Sequence, residues 1–258
     1  MNIQQLFDLT GKTAIVTGGG RGLGAQIAEG FAEAGANLVL CSRRVEACEE
    51  TAERIQKETG GQCLALPCDV RNPEEVQRVV DQTMERFGRI DILVNNSGAS
   101  WGTPAIDMPL DAWNKVMDIN VTGTFLMSQA VGRVMINQNA GKIINVASVA
   151  GLVGTDPRFM DAIGYSASKG AVISFTKDLA VKWGIHNINV NAIAPGFFPT
   201  KMTRELLEHN GEHILNHTPL KRYGTEYDLK GSAVFLASDA SNYVTGAVVV
   251  VDGGMSAM

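Results

Sequence analysis

Cysteine is scarce: Cys41, Cys48, Cys63 and Cys68 are the only 4 in 258 residues, and no two of them form a CxxC pair. So few, so spaced, cannot staple a chain of this size or build a thiolate metal centre, and the four read as reduced, mostly buried thiols. No run of 18 or more apolar residues occurs, which leaves no hydropathy signal for a transmembrane helix. Residues 1–10 lack the basic-then-apolar layout of a secretion signal, so the cytoplasm is the expected compartment. Positive charge is not in excess either: 22 Lys and Arg face 27 Asp and Glu, for a net charge of -5. That balance argues against nucleic-acid binding by counterion release, which needs clustered cations, and makes small molecules the expected partners. Low-complexity linkers and internal repeats are missing too. With 45% hydrophobic and 19% charged residues the composition is that of a globular chain, and this length suits one α/β domain spanning residues 1–258.

The apolar residues that are present fall in a repeating order. Residues 12–17 form a short apolar run ending in glycines, and residues 25–33 then carry Ile27, Ala28 and Phe31 on one helical face. The alternation continues with a strand at 37–41, a helix at 45–58, a strand at 63–67, a helix at 73–87 and a strand at 90–95. A helix over 110–120 extends toward 134, followed by a strand at 142–148, a helix from near Tyr165, a strand at 187–194, a helix at 227–237 and a last strand at 247–252. Helical crossovers impose parallel pairing. The expected fold is a Rossmann-type doubly wound parallel sheet of about seven strands, with helices on both faces.

Where the first strand meets the first helix stands Thr17-Gly18-Gly19-Gly20-Arg21-Gly22-Leu23-Gly24. Glycines there permit a tight turn whose backbone amides can face a pyrophosphate. The spacing Gly18, Gly22, Gly24 departs from GxGxxG and resembles the TGxxxGxG loop of the short-chain dehydrogenase/reductase family. In that family the end of the second strand reads the adenosine ribose, where an Asp would bind the 2′-hydroxyl and repel a 2′-phosphate. This chain has Ser42, Arg43 and Arg44 instead, and Arg43 with Arg21 can contact a phosphate, so the expected cofactor is NADP(H). The resemblance further implies cofactor contacts from Gly18, Gly20, Gly22, Leu23, Gly24 and Val70, from Asp69 to the adenine amino group, and from Asn96 and Gly98 of Asn95-Asn96-Ser97-Gly98. Taken alone, Asp69 also suits a helix N-cap or a turn.

Tyr165-Ser166-Ala167-Ser168-Lys169 places Tyr and Lys four apart, on one face of a helix. Ser148 ends the preceding apolar strand, where a side chain leaving the carboxyl edge of a parallel sheet points into the ligand crevice, and Asn120 closes a helical segment upstream. Together they resemble the family's Asn, Ser, Tyr, Lys set. The resemblance implies that Ser148 holds a carbonyl oxygen, Tyr165 donates the proton, Lys169 lowers the Tyr pKa and binds the nicotinamide ribose, and Asn120 holds a relaying water. A Tyr hydroxyl ionises near 10, so working near pH 7 asks for about three units, roughly 4 kcal/mol, from an ammonium and an oxidised nicotinamide. Pro195, Gly196, Phe198 and Thr200 resemble the segment that contacts the nicotinamide amide.

Sixteen residues separate Ser148 from Tyr165, and the stretch 155–161 reads as an enlarged loop beside the substrate. His209, His213 and His217 recur every four residues in the expected substrate lid, about 200–222; Asn210-Gly211 interrupts the helical signal there, and no metal is expected. For the substrate, the resemblance to NADPH-dependent 3-oxoacyl thioester reductases of the rhamnolipid type implies a 3-oxoacyl thioester or related ketone, and a resemblance to gluconate 5-dehydrogenases gives a sugar acid as the alternative. Trp101, Phe197, Phe198 and Met202 are candidates to line an apolar acyl channel, and Lys201 and Arg158 to bind a sugar acid's carboxylate. The apolar stretch Val248-Val249-Val250-Val251 resembles the strand through which the family forms homotetramers.

Overall fold

The computed structural model describes residues 1–258 except Phe159 and Met202. Its seven strands form one sheet in the order β3-β2-β1-β4-β5-β6-β7, every neighbouring pair parallel. They are β1 (Thr13–Thr17), β2 (Asn37–Ser42), β3 (Cys63–Pro67), β4 (Ile92–Asn95), β5 (Gly141–Val146), β6 (Ile188–Pro195) and β7 (Val248–Val251). The helices are α1 (Ile3–Leu6), α2 (Gly22–Glu33), α3 (Val45–Thr59), α4 (Pro73–Phe87), α5 (Leu110–Met117), α6 (Gly123–Gln138), α7 (Ile163–Trp183), α8 (Arg204–Asn216) and α9 (Lys230–Ala237).

Period-two alternation divides each central strand between two cores. Ala14 and Val16 of β1, with Leu38 and Leu40 of β2, pack under α2, α3 and α9, where Phe31, Ile55 and Leu236 are fully buried. Ile15, Val39 and Cys41 point the other way, against Val76 and Val80 of α4, Met127 and Val131 of α6 and Leu179 of α7. Buried on both faces, the strands read as continuous apolar runs, which is what a doubly wound parallel sheet requires. Helix ends follow local chemistry: Asn72 caps α4 by accepting from Glu74 N at 3.0 Å, Pro73 starts it, and Gly88 ends it in the left-handed region.

Three expectations about elements need correction. The helix expected from 110 toward 134 is broken into α5 and α6 by a π-helical turn, Asp118–Thr122, which contains Asn120. A π turn inserts a residue and so re-aims the side chains around it. The helix expected from 227 begins at Lys230, because the Asp228 carboxylate accepts from Thr225 N at 2.7 Å and pairs with Arg222, holding residues 225–228 as a turn. Helix α8 runs unbroken through Asn210-Gly211. A Cβ on Gly211 would lie 2.5 Å from the Tyr223 hydroxyl, so glycine there permits a close approach rather than ending the helix.

From β1 the chain steps outward to β2 and β3, and from β4 it steps the other way to β7. The carboxyl ends of β1 and β4 therefore flank the point where strand order reverses, and a crevice opens there.

Candidate active site

That crevice has a volume of about 1490 Å³ and runs from the glycine loop to Tyr165 and the start of α8. It exceeds the roughly 300–1,000 Å³ of a site for one drug-sized ligand, so there is room for a dinucleotide and a substrate together. Of the residues expected to contact the cofactor or carry the chemistry, all line it except Gly24 and Asn120.

Gly18 and Gly22 adopt φ of 63° and 57°, conformations that L side chains rarely take. Gly24 is required for a different reason: a Cβ there would collide with the Gly18 carbonyl oxygen and the Asn96 amide. Asn96 donates from Nδ2 to the carbonyls of Thr17 at 2.9 Å and Gly18 at 3.2 Å. Gly24 and Asn96 thus hold the glycine loop in shape from behind and beside it. At the end of β2, Ser42 donates to the Arg44 carbonyl at 2.6 Å. Arg21, Arg43 and Arg44 are exposed, and none of them makes an ion pair among the described residues. Three guanidinium groups and no carboxylate at the strand end form a ready site for a dianionic phosphate.

Asp69 differs from the expectation. Its carboxylate is held by Arg71, which donates from Nη2 at 2.6 Å and Nε at 3.0 Å as well as from its backbone N–H at 3.1 Å. The side-chain hydrogen bonds from Arg71 hold its pKa below the ordinary carboxylate value. Most of its lone pairs are used locally, so it is no bare acceptor for an adenine amine, and its charge is cancelled close to Arg43. The Val70 side chain packs against Gly123 of α6 in the core.

At the other end of the crevice, Ser148 directly follows the tip of β5 and its Oγ accepts from Ala150 N at 3.2 Å. The turn Val149–Gly151 lies against α7 so closely that a Cβ on Gly151 would overlap the Lys169 and Gly170 backbone. This contact brings Ser148 to Tyr165. Burial pushes the Tyr165 phenol above its ordinary 10, and a hydrogen bond with Ser148 partly offsets it. Lys169 Nζ lies 5.5 Å from the centre of the Tyr165 ring and donates to the Val146 carbonyl at 2.6 Å. Burial brings the Lys169 pKa down to about 8. The lowered Tyr pKa expected from the sequence is therefore absent from the bare protein. A charge beside the phenol has to supply it.

Asn120 acts as a tether. Its Oδ1 accepts from Ala99 N at 2.8 Å, and its Nδ2 donates to Ala99 O at 3.0 Å and Ser168 Oγ at 2.8 Å. With only 1% of its surface exposed, this amide fastens the loop after β4 to α7, with both Nδ2 protons committed and one lone pair of Oδ1 left over. Phe198 lines the crevice but is only 3% exposed, its ring packed under Gly224 in the core with α9. Thr200 reaches the glycine loop, with Cγ2 lying 3.5 Å from a Cβ position on Gly22, and its hydroxyl is shared with Thr203 at 3.1 Å.

Among the described residues the expected apolar channel does not assemble. Phe198 is core, Phe197 lines a separate pocket with Leu220, and Met202 lies outside the described residues. Trp101 is 43% exposed, with the Lys115 ammonium 5.9 Å above its ring. The crevice is instead lined by Lys115, Lys201 and Arg204, together with Glu208 of α8 and Glu226. Of these cations, the sequence reading had named only Lys201. Its other cation, Arg158, is bound to Asp156 through paired hydrogen bonds.

The family model described as Enoyl-(Acyl carrier protein) reductase matches residues 18–256. The chain belongs to the short-chain dehydrogenase/reductase family. It is 39% identical over 255 residues to a 5-keto-D-gluconate 5-reductase of Escherichia coli, covering 98% of each chain. It is 40% identical over 248 residues to a 3-oxoacyl-[acyl-carrier-protein] reductase of Synechocystis sp., covering 96% of this chain and 98% of the relative. A solved gluconate 5-dehydrogenase from Burkholderia cenocepacia, in complex with NADP and tartrate, superposes over 100% of both chains with a TM-score of 0.94 at 37% identity.

As a short-chain dehydrogenase/reductase the protein is an oxidoreductase of the CH–OH/C=O type. The 155–161 stretch is anchored at its end to the segment after β4: Thr103 N donates to Asp161 O at 2.8 Å, and Thr103 forms a parallel bridge with Ala162. Among the described residues no group of three or more His, Cys, Asp or Glu could hold a metal ion. In α8, His213 and His217 meet edge to face with centroids 4.6 Å apart. All four cysteines are free thiols, and no helix of the described residues is long and apolar enough to cross a membrane.

Proposed function

We propose that this short-chain dehydrogenase/reductase transfers a hydride between NADP(H) and a keto or hydroxy sugar acid. The observation that carries the reading is the charge lining the crevice: Arg21, Arg43 and Arg44 at the adenosine end, and Lys115, Lys201 and Arg204 elsewhere along it. A 2′-phosphate fits the first set, and a carboxylate fits the second, because each puts an anion against guanidinium or ammonium groups that make no ion pair among the described residues, although Glu208 and Glu226 line the same crevice. The glycine loop fits a pyrophosphate for the steric reasons given above. NADPH, when bound, supplies the hydride.

The chain's own residues do the rest. Ser148 donates a hydrogen bond to the substrate oxygen, and Tyr165 delivers its hydroxyl proton to that oxygen as it gains charge. Lys169, protonated below about pH 8, stabilises the phenolate left behind. Asn120 keeps the neighbouring loop in place through its hydrogen bonds to both backbone groups of Ala99.

A 3-oxoacyl thioester is the second reading, favoured by the equal similarity to the Synechocystis enzyme. NADPH consumption with 5-ketogluconate and with an acetoacetyl thioester, NADH run in parallel, separates the two. Turnover of the sugar acid with NADPH supports the first reading, and turnover of the thioester alone overturns it. Residues 200–222, which include α8, serve in this scheme as the substrate lid. Strand β7 lies at the sheet edge with Val250 41% exposed, and pairing of that edge across a two-fold axis supports a homotetramer; a monomer by light scattering overturns it. The four free thiols suit the reducing cytoplasm.

A further inference from the structure

The glycine loop and the end of β2 belong to different connections, yet a dinucleotide phosphate ester must span both at a fixed separation. Two side chains of α3 join them. Cys48, fully buried, donates from Sγ to Ser42 Oγ at 3.4 Å, and Ser42 passes its single proton to the Arg44 carbonyl at 2.6 Å. One turn further along α3, Thr51, 6% exposed, donates from Oγ1 to the Gly20 carbonyl at 2.9 Å. One face of α3 thus holds the Gly20 carbonyl through Thr51 and the Ser42 hydroxyl through Cys48. The fit leaves no slack, because a Cβ on Gly20 would lie 2.7 Å from the backbone of Ala47 and Cys48.

We propose that Cys48 and Thr51 are positioning residues that set the distance between the pyrophosphate cradle and the 2′-phosphate pocket, Cys48 acting on coenzyme selectivity and Thr51 on dinucleotide affinity as a whole. The proposal rests on the NADP(H) reading. Its physical basis is that a cation pocket discriminates only if it is held where the phosphate falls. Ser42 carries the turn that presents Arg43 and Arg44, whereas Gly20 serves the pyrophosphate that both coenzymes share. A loop left to relax loses this preorganisation and must be ordered by the ligand itself.

The test is calorimetric binding of NADPH and NADH to the full chain. Cys48→Ala should weaken NADPH about fivefold, the factor that a hydrogen bond of roughly 1 kcal/mol is worth, with NADH changed less than about twofold, and Cys48→Ser should restore both. Thr51→Val should weaken the two coenzymes together by about fivefold, and Thr51→Ser should restore them. Should Cys48→Ala fail to fold by thermal melting, Ser42→Ala cuts the same link from its other end and should shift the ratio in the same direction. An unchanged NADPH to NADH ratio in the Cys48→Ala and Ser42→Ala variants, a shifted ratio in Thr51→Val, or a loss that the conservative replacements do not repair, overturns the inference. A wild-type chain that binds NADH more tightly than NADPH overturns the coenzyme reading itself, and the Cys48 arm with it.

Discussion

Replacing Lys169 by Met should make the protein inactive and, at neutral pH, more stable. Lys169 is 5% exposed, and burial lowers its pKa from 10.5 to about 8. At about 1.4 kcal/mol per pH unit, holding this ammonium inside the folded chain costs roughly 3 kcal/mol at pH 7. The sign follows from proton uptake. Between pH 8 and 10.5 the unfolded chain binds the proton that the folded chain has released, so stability rises with pH across that window. It is fully present above 10.5 and lost as the pH falls through about 8. Met keeps the chain length and removes the charge, but leaves the Val146 carbonyl without its donor at 2.6 Å, a loss of about 1 kcal/mol. The variant should therefore be more stable than the parent by roughly 2 kcal/mol at pH 7, about equal to it at pH 10, and less stable by about 1 kcal/mol only above about pH 11. Urea melts of the coenzyme-free protein at pH 7, 8, 9 and 10 measure the difference directly. A gap that does not change with pH would show that Lys169 carries no such burden and that its charge is not available to Tyr165 on the terms argued here.

The other expectations are simpler. Tyr165→Phe should retain NADPH binding in a fluorescence titration while turnover falls by about 10²–10⁴-fold or more, and retained turnover would refute its role as proton donor. Carbonyl reduction should decline as the pH rises past the Tyr165 and Lys169 ionisations, while alcohol oxidation should rise; parallel profiles in the two directions would contradict the acid/base assignment. Ser42→Asp combined with Arg43→Ile should reverse the preference between NADPH and NADH in steady-state kinetics, since a carboxylate would then face the 2′ position, and an unchanged ratio would remove the phosphate pocket. Gly24→Ala should destabilise the fold by about 1–3 kcal/mol in thermal melts, because its Cβ meets the Gly18 carbonyl and Asn96, and a neutral effect would refute the tight packing of the loop.

The strand-and-helix order, the parallel sheet and the place of the glycine loop were legible in the chain itself. Apolar period, capping residues such as Asn72 and Gly88, and glycines needed at positive φ are local properties. Local chemistry also brought Ser148, Tyr165 and Lys169 into view, since a strand tip and a spacing of four on a helix fix where those side chains start. Where they end was decided by what packs against them from distant parts of the chain. The Asn120 amide is held by Ala99 and Ser168, the Phe198 ring is drawn into the core beneath Gly224, and Gly211 makes room for Tyr223 inside an unbroken helix. No sequence signal marked Cys48 and Thr51, whose partner Gly20 lies 31 residues before Thr51. The low Lys169 pKa and the high Tyr165 pKa belong to the same class, because desolvation depends on the whole enclosure around a group rather than on its neighbours in the chain.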